Sequence, residues 1–213
     1  MSYTSFPISQ DATDFFTEAG IIGGSTNMLP LINGAGSEFP PFDGNYGAAA
    51  TIKESVCEVT WPGASYVGFN LGAAYERVLG VAFVQQGSSK VGFQESTINA
   101  AAEMSAGYLA GMNNSACTIL ERTAAPSWAV LASASIGLSD VPSSAAAGVA
   151  VYIDGGTNTI DLYFKYGSSS QWMKVLTGSD ATVTSFQSCL IRTSSSPTGG
   201  VRWINPMMIW GAV

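Results

Sequence analysis

The chain has 213 residues, of which 46% are hydrophobic and only 11% charged, with a net charge of −7. That length can bury a large core, and all-β chains of this size often fold as one domain. The acidic balance and eight scattered Lys and Arg residues argue against nucleic acid as a partner, and the lack of an 18-residue apolar run argues against membrane insertion.

Residues 1–47 differ in composition from the rest and predict an extended N-terminal anchoring arm. They contain five acidic residues, four prolines and no Lys or Arg. Their apolar side chains are too many for a solvated tail, so the arm needs a surface to lie on. We favour a neighbouring subunit, and the alternative is an extra strand within the same sandwich. The predicted partner-binding side chains are Phe6, Phe15, Phe16, Ile21, Ile22, Leu29 and Leu31.

Residues 48–213 predict a second unit, an all-β antiparallel sandwich of the jelly-roll type. Its apolar segments are short and separated by turn residues, which is typical of such sandwiches. The predicted strands are Ser55–Trp61, Tyr66–Leu71, Arg77–Gln86, Lys90–Gln94, Ala106–Asn113, Cys117–Thr123, Trp128–Ser135, Gly148–Asp154, Thr159–Tyr166, Gln171–Leu176, Phe186–Thr193 and Val201–Trp210.

The segment 148–166 predicts a hairpin whose register can be derived. Apolar residues alternate with polar or small ones on both sides of a Gly-Gly-Thr-Asn turn. The apolar faces match only when paired residue numbers sum to an odd value, which a two- or four-residue loop satisfies. We prefer the four-residue loop, residues 155–158. It pairs Ile153 with Ile160, Val151 with Leu162, and Val149 with Phe164.

The opposite face of this hairpin is predicted to face solvent. It carries Tyr152, Asp154, Asp161, Tyr163 and Lys165. Flat aromatic rings bind the faces of sugars, so Tyr152, Asp161 and Tyr163 are candidate glycan-binding residues. Core packing or a subunit contact is the alternative for these rings. Calcium bound by Asp154, Asn158 and Asp161 is a further alternative, although turn residues of this kind need no metal.

The chain has few catalytic motifs, so we expect that it is not an enzyme and that it binds no cofactor and no metal. The chain has no histidine, which excludes Ser-His-Asp and Cys-His catalysis, and it has no P-loop. Its three cysteines are far apart, so neither a disulfide framework nor a metal cluster is expected. A secreted glycosidase would need a pair of carboxylates, and the candidate pairs are Glu54 with Glu58 and Asp154 with Asp161. Solvated surface groups are the better interpretation of both pairs.

The strand and turn pattern from Ala106 to Trp210 resembles the concanavalin-like, laminin-G-type jelly rolls of many phage virion proteins. It is carried by Gly107–Met112, Thr118–Arg122, Trp128–Ser133, the hairpin from Val149 to Phe164, and Val201–Trp210. The resemblance covers about half of the chain. It implies a sandwich fold and a virion setting, and it assigns no site residue.

These features together favour a non-enzymatic phage structural protein, either a capsid decoration (cement) protein or a fibre subunit. Its low charge suits a surface covered by neighbours, because soluble domains usually carry about 25% charged residues. Expected partners are other virion subunits and copies of the chain, with a trimer favoured. Without a visible export signal, synthesis is expected in the host cytoplasm. The alternatives are a fibre adhesin that binds a host glycan and a secreted β protein.

Overall fold

The computed structural model describes residues 29–34, 44–47, 51–53, 58–60, 65–85, 89–98, 105–113, 116–124, 127–135, 146–166, 172–193 and 201–212. Regular structure in these ranges consists of β-strands. They are β1 Leu29–Gly34, β2 Gly44–Gly47, β3 Thr51–Lys53, β4 Glu58–Thr60, β5 Ser65–Tyr75, β6 Arg77–Gln85, β7 Ser89–Gln94, β8 Gly107–Asn113, β9 Ala116–Ala124, β10 Ser127–Ser135, β11 Ala146–Asp154, β12 Thr159–Tyr166, β13 Met173–Ser179, β14 Phe186–Thr193 and β15 Val201–Ala212.

The strands form two antiparallel sheets, as an all-β sandwich requires. Sheet A has the order β13-β12-β11-β6-β15-β4-β3, with β1 also paired to β15. Sheet B has the order β10-β9-β8-β7-β14-β5-β2. Strands distant in sequence therefore lie side by side, so the sandwich depends on long-range pairing. No helix in the described ranges is both long and apolar enough to cross a membrane.

The core fills the space between the two sheets. Sheet A contributes Val151 and Leu162, and sheet B contributes Phe93 and Phe186. The rings of Phe93 and Phe186 meet edge to face, with centroids 6.2 Å apart. Cys117 and Cys189 are free thiols buried in the same core, where burial raises the pKa of Cys117 to about 11. The prediction that Cys189 is a small buried apolar residue in a strand is confirmed.

Each of the predicted strands has a counterpart in the structure, and the all-β fold class is confirmed. The structure adds β1, β2 and β3, which were not predicted as strands. Two of these, β1 and β2, come from the predicted arm and pair with β15 and β5 of the sandwich. At those ten positions the chain forms strands of the sandwich itself, which was the alternative prediction for the arm. The boundary at residue 47 stays a prediction.

The predicted hairpin register is confirmed at each position. β11 and β12 pair Ile153 with Ile160, Val151 with Leu162, and Val149 with Phe164, across a turn at residues 155–158. The turn residues explain why it closes there. The Oδ1 atom of Asp154 accepts hydrogen bonds from the backbone N–H groups of Gly156 (3.0 Å) and Thr157 (3.1 Å). Asn158 has a φ of 58°, a left-handed conformation that Asn tolerates well.

The prediction that the other face of the hairpin is solvated is wrong for Asp161 and Tyr163. Both are buried, and Tyr163 is only 2% exposed. The burial extends beyond the hairpin, since the neighbouring strand β6 carries the fully buried Leu79 and Val81 on the same face. Alternation along one hairpin does not reveal what an adjacent strand contributes. Tyr152 and Asp154 are half-buried.

Candidate functional site

Polar and aromatic side chains gather on the outer face of sheet A, where β11, β12 and β13 lie side by side. Tyr152 pairs with Asp161, which in turn pairs with Thr177 on β13. Tyr163 pairs with Lys174. Directly paired residues place their side chains on the same face as neighbours. We call these five residues, Tyr152, Asp161, Tyr163, Lys174 and Thr177, the outer patch.

Asp161 is the centre of the outer patch. Its Oδ2 atom is 2.8 Å from the Lys174 ammonium, and its Oδ1 atom accepts a hydrogen bond of 2.6 Å from the Thr177 hydroxyl. The Asp161 side chain is 8% exposed, whereas that of Lys174 is 47% exposed. A buried carboxylate thus holds an ammonium and a hydroxyl at the surface. The Tyr163 hydroxyl makes a further hydrogen bond to the same carboxylate.

The two phenols of the outer patch stay protonated at neutral pH. Burial raises the pKa of Tyr163, and the charge of Asp161 and a hydrogen bond to it raise it further. Burial also raises the pKa of Tyr152, followed by the charge of Asp154, while Arg77 acts in the opposite direction. The Lys174 ammonium lies 5.7 Å from the centroid of the Tyr163 ring, within the range of a cation–π contact. The patch therefore offers the neutral phenol of Tyr152 beside one fixed cation, whereas the phenol of Tyr163 is buried.

We expect Lys174→Met to lower the free energy of unfolding by about 1–2 kcal/mol, because it leaves the buried Asp161 carboxylate without its cation. The half-exposed position of Lys174 keeps this below the cost of breaking a fully buried pair. Urea unfolding followed by tryptophan fluorescence measures the change. Lys174→Arg is the matched control and should retain most of the stability. Equal stability of Lys174→Met and wild type would show that the pair contributes nothing.

The acidic groups of the hairpin are engaged in structural contacts, which bears on the calcium and glycosidase alternatives. Asp154 binds the backbone of its own turn through Oδ1, and Asp161 binds Lys174 and Thr177. Among the residues that the structure describes, no three acidic, His or Cys side chains come together in a way that suits a metal ion. The side chain of Glu58, and Glu54 altogether, lie outside the described residues.

The predicted site residues are therefore placed in different ways. Tyr152, Asp161 and Tyr163 do come together, although two of them are more buried than expected. Leu29 and Leu31 lie in β1 at the edge of sheet A, beside β15. The other five predicted partner-binding residues lie outside the described residues, so the role of that set stays a prediction. They are Phe6, Phe15, Phe16, Ile21 and Ile22.

Sequence reasoning missed Lys174 and Thr177, which supply the exposed part of the outer patch. The strand that carries them was expected at Gln171–Leu176, whereas β13 runs from Met173 to Ser179. A register irregularity between Leu162 and Tyr163 brings Lys174 opposite Tyr163. The lysine itself was the signal that could have identified this segment as an edge strand, because edge strands of sheets commonly carry a charged residue.

No family model and no curated protein matches this chain, whereas its fold matches solved structures. The exoplasmic/lumenal domain of VIP36 with Ca²⁺ and Man3GlcNAc has a TM-score of 0.59 at 8% identity, over 86% of this chain and 88% of that one. Arcelin-5, a lectin-like defense protein from Phaseolus vulgaris, has a TM-score of 0.56 at 7% identity, over 86% and 98%. A legume lectin-like domain from Entamoeba histolytica has a TM-score of 0.55 at 10% identity, over 87% and 99%.

Identities this low show the fold alone. The likeness confirms the concanavalin-like part of the resemblance found in the sequence, and the virion part stays a prediction. The chain therefore has the legume-lectin-like form of the antiparallel β-sandwich.

Proposed function

We propose that this chain is a non-enzymatic carbohydrate-binding protein and that the outer patch of sheet A contacts the saccharide. The fold supports the first part of the proposal, because VIP36, which has the same kind of sandwich, has been solved with a mannose-containing oligosaccharide. The second part depends on the chemistry of the outer patch, since fold alone does not specify a site.

One observation carries the choice of site: the buried Asp161 carboxylate fixes the Lys174 ammonium and the Thr177 hydroxyl next to the half-buried Tyr152. A saccharide presents hydroxyl groups that both donate and accept hydrogen bonds. The ammonium donates, while the Tyr152 and Thr177 hydroxyls, whose protons point to Asp154 and Asp161, accept. Because these groups are already ordered, little side-chain entropy is lost when a sugar binds.

The non-enzymatic part of the proposal is supported by how the carboxylates are used. Hydrolysis of a glycosidic bond needs one carboxyl group that donates a proton and a second that acts as base or nucleophile. Asp161 already accepts from an ammonium and a hydroxyl, and Asp154 holds its own turn. The outer patch is therefore better suited to holding a sugar than to cleaving one.

A glycan array probed with the folded protein tests the proposal. We expect the wild type to bind at least one class of glycan. The double variant Tyr152→Phe, Thr177→Val should bind that glycan about tenfold more weakly, because each lost hydrogen bond contributes roughly 0.5–1.5 kcal/mol. Ser133→Ala removes an exposed hydroxyl from sheet B instead and is the matched control. No binding by wild type, or equal binding by the double variant, would contradict the proposal.

Display of this sandwich on a phage particle, as a decoration or fibre subunit, is a second proposal. It is supported by the low charge of 11% and by the jelly-roll resemblance described above. In that setting, the predicted arm residues would contact other virion subunits, and the outer patch would meet a host glycan. Co-purification of the chain with intact particles tests this role. Its absence from purified particles would count against it and would leave carbohydrate binding unaffected.

A further inference from the structure

The centre of the outer face of sheet A is apolar and buried. Leu79 and Val81 of β6 pair with Tyr152 and Ala150 of β11, and directly paired residues share a face. The exposed fraction of Leu79, Val81 and Ala150 is 0%. These three residues do not belong to the buried cluster that fills the space between the two sheets. A further layer, other than sheet B, therefore covers them.

The covered area reaches β12 and ends at β13. Tyr163, which pairs with Ala150, is 2% exposed, and Trp172, directly before β13, is 4% exposed. On β13 itself, Lys174 and Thr177 are exposed. Neighbouring strands lie about 4.8 Å apart, so the covered area from β6 to β12 is roughly 10 Å wide. The exposed part of the outer patch lies at its border.

The layer over this face comes from the same chain, because these exposures are those of one chain by itself. The longest described segments between strands lie elsewhere. Residues 95–98 pack on sheet B through Ile98. The turn 155–158 is hydrogen-bonded to the start of residues 180–185 at one end of the sandwich. The layer is therefore supplied by residues outside the described ranges.

Residues 1–28 fit this layer in length and in composition. They are the longest stretch outside the described ranges, and the next longest, residues 136–145, has only ten residues. An extended chain spans roughly 3.3 Å per residue, so the arm can cross the covered area more than once. Its large apolar side chains include Phe6, Phe15, Phe16, Ile21 and Ile22.

The arm also enters the sandwich beside the covered area. It leads directly into β1, where Leu29 pairs with Gly211 of β15. Gly211 pairs in turn with Val78 of β6, the residue before the buried Leu79. The arm therefore reaches sheet A two strands from the covered residues, whereas the outer face of sheet B lies on the far side of the core.

We propose that residues 1–28 lie across the outer face of sheet A of their own chain and cover Leu79, Val81 and Ala150. The arm is then a third layer of the sandwich, and its border forms a wall beside Lys174 and Thr177. This leaves less of the arm for contact with other virion subunits than the display proposal requires. The inference is independent of whether the outer patch binds a saccharide.

A nitroxide attached to the arm of the full chain tests where the arm lies. The label is placed on Thr17→Cys in a Cys57→Ser background, because the other two cysteines are buried. We expect the amide NMR signals of Leu79, Val81 and Ala150 to lose most of their intensity, relative to the same sample after chemical reduction of the nitroxide. The reduced sample also shows whether the labelled chain keeps the wild-type fold.

Two further label positions strengthen the measurement. Ala12→Cys repeats it at a second point on the arm and should broaden signals from sheet A as well. Ser133→Cys is the matched control, because Ser133 is exposed on β10 of sheet B. A nitroxide there should broaden the signals of β9 and leave those of Leu79 and Val81 sharp.

A mixed sample separates the chain's own arm from that of a neighbour. Isotope-labelled chains without nitroxide are combined with nitroxide-labelled chains that are invisible in the spectrum, and we expect sharp signals throughout. Loss of the Leu79 and Val81 signals in this mixture would place the arm on a neighbouring chain and overturn the proposal. Broadening of Leu109 and Leu190 of sheet B by the arm label, or no broadening at all, would overturn it as well.

Discussion

Gly155→Ala is expected to destabilise the protein by about 3 kcal/mol, since overpacking at a rigid site costs roughly 1–3 kcal/mol or more. A Cβ atom at Gly155 would lie 2.2 Å from the carbonyl oxygen of Thr184 and 2.8–2.9 Å from its backbone carbons. Backbone atoms cannot move aside as a side-chain tip can. The hairpin turn and the segment before β14 would have to separate. For a chain of this length we expect the thermal midpoint to fall by roughly 6–12 °C.

The adjacent glycine provides the matched control. A Cβ atom at Gly156 would meet the Oε1 atom of Glu76 at 2.7 Å, which is the end of a flexible and exposed side chain. Gly156→Ala should therefore cost less than about 1 kcal/mol. Differential scanning calorimetry of both variants measures the difference. If the two variants unfolded at the same temperature, the close approach of the hairpin to Thr184 would not be what fixes this end of the sandwich.

Tyr108→Phe is the second large effect, with an expected loss of about 1–3 kcal/mol. The buried Tyr108 hydroxyl donates a hydrogen bond of 2.6 Å to Oδ1 of Asp180 and accepts one of 3.0 Å from the N–H of Val183. It thereby ties the core strand β8 to the segment that follows β13. Without the hydroxyl, a buried backbone N–H loses its acceptor. Chemical unfolding at neutral pH measures the loss.

The effect of Tyr108→Phe should depend on pH in a defined direction. Partial burial raises the pKa of Asp180, but hydrogen bonds from Tyr108 and Thr182 outweigh that and leave the pKa below its ordinary value. A carboxyl with a lowered folded-state pKa stabilises the fold above its unfolded pKa, and this contribution disappears as pH falls through the folded value. The difference between wild type and Tyr108→Phe should therefore shrink in acid.

Asp180→Asn distinguishes the charge from the hydrogen bond. It keeps an acceptor for the Tyr108 hydroxyl but removes the titrating group, so its stability should vary less with acidic pH than that of wild type. Unfolding curves at several pH values between neutral and strongly acidic make the comparison. A gap between wild type and Tyr108→Phe that stayed constant across this range would contradict the role assigned to Asp180.

Titration of Tyr108 at basic pH affects stability in the opposite direction to that of Asp180, because here stability falls as the pH rises. Burial, and then the hydrogen bond to Asp180, raise the pKa of Tyr108 above its ordinary value of 10.0. A tyrosine with a raised folded-state pKa stabilises the fold fully below its unfolded pKa, and this stability is lost as pH rises beyond that value. Tyr163 is affected in the same direction by burial and Asp161. Both therefore contribute to unfolding in alkali.

The hairpin was predictable from sequence because its information is local. Two alternating strands and a Gly-Gly-Thr-Asn turn fix the pairing of Ile153 with Ile160 without reference to the rest of the chain. The other strands that the sequence predicted have similar local signals. β1, β2 and β3 do not, because they are short or contain proline or glycine. Pairing with the non-consecutive strands β15 and β5 makes β1 and β2 regular, and the three-residue β3 pairs with the next strand, β4.

The outer patch was predictable only in part. Tyr152, Asp161 and Tyr163 share a face by alternation, which the sequence shows directly. Alternation does not show that Asp161 and Tyr163 are buried, nor that the buried Leu79 and Val81 of β6, a strand more than sixty residues earlier in the chain, lie beside the hairpin on the same face. The position of Lys174 depends on an irregular register between β12 and β13. Side chains supplied by distant or irregularly paired strands cannot be placed by periodicity.

Hydrogen exchange with and without a glycan that the protein binds tests whether a saccharide binds on the outer face of sheet A. We expect slower exchange in peptides that cover β12 and β13, the strands carrying Asp161, Tyr163, Lys174 and Thr177. Peptides from β7 and β9 of sheet B should exchange at the same rate in both samples. Slower exchange confined to sheet B would contradict the assignment of the outer patch as the binding site.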